Sequence, residues 1–187
     1  MVGSRKPTAY GLEATETIVR ELTETGMINI VSGLAIGIDS RAHQTTLEFG
    51  GKTTAILGSG LDRNSIYPPE NRGLLKRIVE AGGTILSEYS SGTPAFREHF
   101  PQRNRIISGI SLGVLVVEAR EKSGALITAR LALEHNREVF ALPGSIFSSA
   151  SSGPNILIQQ GAKLVLSGHD ILEELGIELK AFRNFIS

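Results

Sequence analysis

Ile28-Asn-Ile-Val-Ser-Gly-Leu-Ala-Ile-Gly-Ile-Asp39 decides the fold. The run over 28–32 is short, apolar and closed by Gly33, the pattern of a buried strand. The chain turns at Gly33, and Gly37 allows close packing where a helical pattern opens over 36–49. Further buried runs occupy 53–57, 84–87, 114–118 and 139–142. The stretch 163–166 reads as a last edge strand, and 1–4 as the tail of a first one. Helical patterns fill the intervals at 9–25, 70–81, 103–109, 125–136 and 154–160, with a tail helix over 170–175. Strands that are apolar throughout and separated by helices predict a mostly parallel sheet covered on both faces. Right-handed crossovers make this a doubly wound α/β fold of three layers. Gly58, Gly60 and Gly144 also follow strands, so the strand-end turns collect on one edge of the sheet, where such folds bind ligands.

A chain of 187 residues suits one domain, spanning 1–187, with a substantial core. Because 1–4 reads as a strand tail, the natural protein is expected to begin earlier. There is no cysteine, which removes disulfides, thiolate catalysis and cysteine metal sites. No apolar run approaches a bilayer span and no secretory core is present, so a cytoplasmic protein without membrane contact is expected. The 19 basic and 19 acidic side chains cancel, so any nucleic-acid binding must come from a concentrated patch. Without tryptophan, an extended base-stacking platform is not expected. The stretch 145–153, rich in serine and glycine, reads as the one long flexible loop.

A concentrated patch exists at Phe100-Pro-Gln-Arg-Asn-Arg-Ile-Ile-Ser-Gly109. Arg103, Asn104 and Arg105 are placed at the start of a helix, just after a proline stop, with Arg97 and His99 upstream and only Glu98 opposing. Helix N-termini favour anions, and guanidinium forks there suit phosphates. Ser4, Arg5 and Lys6 offer a small-residue turn with two cations after the first strand. Ser32 and Gly33 can turn N–H groups toward an anion. Lys122, Ser123 and Gly124 form a cationic N-cap ahead of the helix from 125, with Thr128 one turn inside.

The turn Gly58-Ser59-Gly60, with Arg63 at the loop tip and Tyr67 beyond, resembles half of a dinucleotide fingerprint without its third glycine. Tyr67 either stacks on a base or packs beneath the loop. Gly51-Lys-Thr53 imitates a Walker ending but enters a strand and lacks the upstream glycine, so it is set aside. Asp39 and His43 lie four apart on one helical face and form either an acid/base pair or, as is commoner, a structural hydrogen bond. Glu88 and Glu118 at strand ends face one pocket or orient arginines. No catalytic triad, metal ligand set or carboxylate pair emerges, and neither cofactor nor metal is expected.

In this order the blocks resemble the DNA-processing protein A (DprA/Smf) family. They are Val2-Gly-Ser-Arg5, Val31 to Asp39, Leu57-Gly-Ser-Gly-Leu-Asp62, Tyr67-Pro68, Phe100 to Gly109, Glu118-Ala, Ser123-Gly-Ala-Leu-Ile-Thr-Ala129, Leu142-Pro-Gly144 and Gly161-Ala-Lys163. The resemblance implies an extended Rossmann-like domain that binds single-stranded DNA, protects it and hands it to the RecA recombinase in natural transformation, without catalysis. It makes Arg5 a DNA contact and the Gly58 to Arg63 loop a second part of the pocket, with Arg97, Arg103 and Arg105 extending the rim. It also implies a homodimer through Asn155, Ile158 and Leu164. The helical and winged-helix domains that usually flank the family's core are absent from this sequence. The alternative is a nucleotide sensor or a nucleotide phosphoribohydrolase of the lysine-decarboxylase-like group. That group's Pro-Gly-Gly-x-Gly-Thr-x-x-Glu signature is replaced here by Ser123-Gly-Ala-Leu-Ile-Thr128, which lacks the acid.

Overall fold

A computed structural model describes residues 1–177. The elements run α1 (Ala9–Glu24), β1 (Ile30–Ser32), α2 (Ile38–Glu48), β2 (Thr53–Ile56), α3 (Arg72–Glu80) and β3 (Thr84–Leu86). They continue α4 (His99–Gly109), β4 (Gly113–Val116), α5 (Gly124–Glu134), β5 (Glu138–Ala141), α6 (Ser152–Gln159), β6 (Lys163–Leu164) and α7 (Gly168–Glu174). A 3-10 turn at Pro69–Asn71 leads into α3.

All strand pairs are parallel, in the orders β1-β2-β3 and β4-β5-β6. Met1 and Val2 fill the seam between the two halves. Val2 N–H donates to Leu115 O at 2.9 Å and Val117 N–H donates to Val2 O at 3.2 Å. On the other side, the Met1 amine donates to Val31 O at 2.7 Å and Ser32 Oγ donates to Met1 O at 2.7 Å. The expected first-strand tail is therefore the centre of the sheet, and strand order runs away from it in both directions.

Helices cover both faces. Ile18, Val19 and Leu22 of α1 pack with Ile38 and Ala42 of α2 and with Ile171 and Leu172 of α7 on one side. Leu74 and Ile78 of α3 close that layer beside Leu34, Ala55 and Leu57. On the other side, Ile107 of α4 and Ala125, Ala129 and Ala132 of α5 pack on Val31, Ile56, Val114 and Val116. β1 and β2 are buried at every position, as the apolar runs require. The edge strands differ: β3 exposes Thr84 and Leu86 and β6 exposes Lys163 and Leu164, because each pairs with one neighbour alone.

One boundary changes the site. α4 begins at His99, not at 103. Pro101 is no stop, since it sits in the first turn, where N–H groups have no partner within the helix and proline is tolerated. The helix therefore starts before the proline and carries Arg103 in its second turn.

Candidate nucleic-acid interface

The C-terminal ends of β1, β4 and the seam segment meet where strand order reverses, the place where doubly wound sheets open a crevice. A cleft of about 920 Å3 opens there. Among the described residues its wall includes Arg5, Lys6, Arg97, Arg103, Arg120 and Lys122, six basic side chains against Asp39 as the one acid. In a chain with no net charge this is a concentrated positive field.

Arg5 is exposed on the loop that follows the seam segment. Its guanidinium lies 5.3 Å from the centre of the Phe100 ring, and the Tyr67 ring centre lies 5.7 Å from the same point. The loop is fastened from below. Buried Glu118 accepts from Thr8 N–H at 2.9 Å and from Thr8 Oγ1 at 2.5 Å, while Thr8 Oγ1 caps α1 by accepting from Gly11 N–H at 3.2 Å. Among the described residues Glu118 thus bonds no arginine and fastens the end of the loop that carries Arg5, whereas Glu88 pairs with Arg105. Thr8→Val removes the cap and one bond to Glu118, and is expected to cost about 1–2 kcal/mol in urea unfolding. A loss below about 0.5 kcal/mol would mean that this fastening carries no energy. Gly37 completes the loop's seat. It takes φ 86°, and a Cβ there would lie 2.3 Å from Ser4 O.

Arg103 is not on the rim. It is 4% exposed, donates through Nη1 to Gly33 O at 2.8 Å and to Ile56 O, and donates through Nε to Asn104 Oδ1 at 3.3 Å. Burial lowers its pKa to about 10, so the guanidinium stays charged. Gly33 is glycine for this reason, since a Cβ would fall 2.5 Å from Arg103 Nη2. The Gly33 N–H is not free for a bound anion. It donates to Asp39 Oδ2 at 3.0 Å, and Ala35 N–H donates to the same oxygen at 3.4 Å. Burial pushes the Asp39 carboxyl above its ordinary range, with Arg103 opposing. Ser32 is fully buried and spends its hydroxyl on Met1.

Asp39 and His43 are no acid/base pair. Thr53 Oγ1 donates to Ile30 O at 2.5 Å, so it accepts from His43 Nδ1 at 2.7 Å. Burial, helped by nearby positive charge, lowers the His43 pKa to about 3.

The loop after β2 is closed rather than open to bases. Asp62 accepts from Gly92 N–H at 2.5 Å, Ser65 N–H at 3.2 Å and Ser65 Oγ at 2.9 Å. These bonds, Gly92 first, hold its carboxyl at about 2. Gly60 N–H donates to Thr93 O at 2.9 Å, Ser59 is buried, and Gly58 O contacts His99 Nδ1 at 3.2 Å. Gly58, Ser59, Gly60 and exposed Arg63 therefore lie outside the cleft wall, and only Tyr67 reaches it. Arg105 also lies outside, bonded to Glu88. Ser4, Asn104, Ser123, Gly124 and Thr128 line the cleft. Ser123 Oγ accepts from Ala125 N–H at 3.3 Å as the cap of α5, and Thr128 Oγ1 is buried without a hydrogen-bond partner.

Sequence reasoning missed Phe100 and Arg120. Phe100 lies three residues before Arg103 on one helix, a spacing that would have placed both on the cleft side. His99 stacks on Tyr89 at 3.9 Å and meets Phe96 edge-on at 5.2 Å, so Tyr67, Tyr89, Phe96 and Phe100 gather around the start of α4.

Asn155 is a clamp. Its Nδ2 donates to Gly144 O at 3.0 Å and its Oδ1 accepts from Gly144 N–H at 3.2 Å. Ile158 is half-buried and Leu164 is 41% exposed. Among the described residues no helix is long and apolar enough to cross a membrane.

Parallel strands diverging from a central seam, with a cationic cleft at their C-terminal ends, define a Rossmann-like protein. The family model of DNA recombination-mediator protein A matches residues 1–176, and the chain belongs to that family, DprA/Smf. It is 47% identical over 175 residues to the DNA processing protein DprA of Bacillus subtilis, covering 94% of this chain and 58% of that one. The DprA crystal structure from Streptococcus pneumoniae superposes with a TM-score of 0.85 at 46% identity, over 92% of this chain and 59% of that one. DNA processing protein A from Helicobacter pylori, described for its single-stranded DNA binding mode, gives a TM-score of 0.82 at 33% identity, over 93% and 77%.

Proposed function

We propose that this chain binds single-stranded DNA without sequence preference in the cleft, protects it in the cytoplasm and passes it to the RecA recombinase during natural transformation. The observation that carries the binding step is the cleft itself, with six basic side chains against one acid at the sheet's switch point. Phosphates would lie against Arg5, Lys6, Arg97 and the α5 N-terminus, and a base against Phe100 and Tyr67. The family's description as a recombination mediator supports the recombinase step. Two copies meeting through the half-buried Ile158 and the exposed Leu164 would present two clefts and raise avidity. The protein then works by holding and delivering the strand, with no bond made or broken.

The test is fluorescence anisotropy of labelled oligo-thymidine against a duplex control across a salt series. If about 3–5 phosphates are neutralised, log affinity falls with log salt at a slope of about −2 to −3.5. Arg5→Ala is expected to weaken single-strand binding about tenfold and flatten that slope by about 0.7. Salt-independent binding, or an unaltered Arg5→Ala variant, rules the cleft out. Saturable binding of a nucleoside monophosphate without any oligonucleotide binding would favour the nucleotide-sensor reading.

A further inference from the structure

Phe147 and Ile146 are the most exposed large apolar side chains among the described residues, at 93% and 84%. A pair so exposed keeps unfavourable contact with water until something covers it.

The segment bearing them is braced, against the expectation of a flexible loop. Asn155 holds both backbone groups of Gly144. Ser145 Oγ accepts from Phe147 N–H at 3.2 Å. Two turns follow, with Ser148 N–H donating to Ser145 O and Ser151 N–H to Ser148 O, each at 3.0 Å.

Its position is as informative as its exposure. The segment follows β5 on the edge of the sheet where the cleft opens. It is joined to the cleft wall through Ala119, whose N–H donates to Ala150 O and whose carbonyl accepts from Gly153 N–H, both at 2.8 Å. The next residue is Arg120, and Lys122 lies two further on; both line the cleft and neither has an ion-pair partner among the described residues. Glu121 is the single acid between them. A braced apolar tip and two uncommitted cations thus stand on neighbouring strand-end loops.

We propose, building on the single-strand reading above, that a strand leaving the cleft runs over Arg120 and Lys122 and stacks an unpaired base on Phe147, with Ile146 as its apolar flank. Cations that take phosphates, followed by an aromatic face that takes a base, is the alternation by which single strands are held without sequence preference. Positive charge beside the tip favours a polyanion over an apolar partner surface.

Phe147→Trp provides the direct test, since the chain has no other tryptophan. Its emission is expected to be quenched by an oligo-thymidine of about 16 nucleotides and left unchanged by one of about 4, which fills the cleft alone. Phe147→Ser is expected to lose about tenfold in affinity for the long oligonucleotide and nothing for the short one. Loss of both alike would place the defect elsewhere and overturn the proposal. So would unaltered binding accompanied by a change in sedimentation, which would make the tip a contact between copies. If the wild-type chain binds no oligonucleotide of any length, the single-strand reading fails first. If it binds and Phe147 has no influence, only this second station fails.

Discussion

Arg103→Ala loses about 3–5 kcal/mol of unfolding free energy in urea, the largest single effect expected in the cleft. The substitution strips the Gly33 and Ile56 carbonyls of their charged donor and removes the larger of the two positive charges that oppose the burial of Asp39. The same arginine ties α4 to the ends of β1 and β2, so single-strand binding should fall together with stability. A variant within about 1 kcal/mol of wild type would show that the buried guanidinium is dispensable. Arg103→Lys is expected to rescue little, because one ammonium cannot match the planar fork.

Acid weakens the fold through His43. Its pKa is about 3 in the folded protein and about 6.5 in the unfolded chain. Between these values the unfolded chain holds a proton that the folded protein does not, so stability falls as pH falls below about 6.5. One such group removes about 2 kcal/mol between pH 7 and pH 5. His43→Gln, less stable at pH 7 for want of a matched partner for Thr53, should flatten that decline by the same amount. Urea titrations of both proteins at the two pH values measure it, and identical slopes would put the acid sensitivity on another group.

The fold was legible because its signals are local. Strand runs such as 28–32 end in glycines, and periods change where helices begin. The cleft was half legible. Arg5 and Lys6, and Ser123 with Gly124, follow strand ends, and the sheet gathers strand ends on one edge. What could not be read was how each cation is used. Arg103 and Arg105 are two residues apart on one helix, yet one is buried in the cleft wall and the other pairs with Glu88 on the outside. That difference depends on where α4 starts, and Pro101 read as a boundary misplaced it. Gly58, Ser59 and Gly60 follow a strand like the other candidates, but the clasp on Asp62 closes their loop through residues about 30 positions away, a contact no local pattern reports. Phe147 fell in a serine-rich stretch that reads as slack, because the brace from Asn155 is visible only in three dimensions.

The seam at Met1 and Val2 also sets an order in time. These residues are made before any other strand of the sheet, yet Val2 hydrogen-bonds Leu115 and Val117. During synthesis they must wait until residue 117 has left the ribosome, while β1, β2 and β3 need nothing beyond residue 86 to pair. Pairings so distant in sequence form late. The two halves of the sheet therefore close on each other only after the first half can pair, and the cleft, whose walls come from both, does not exist until they do. A nascent chain therefore has half of its scaffold before it has a cleft.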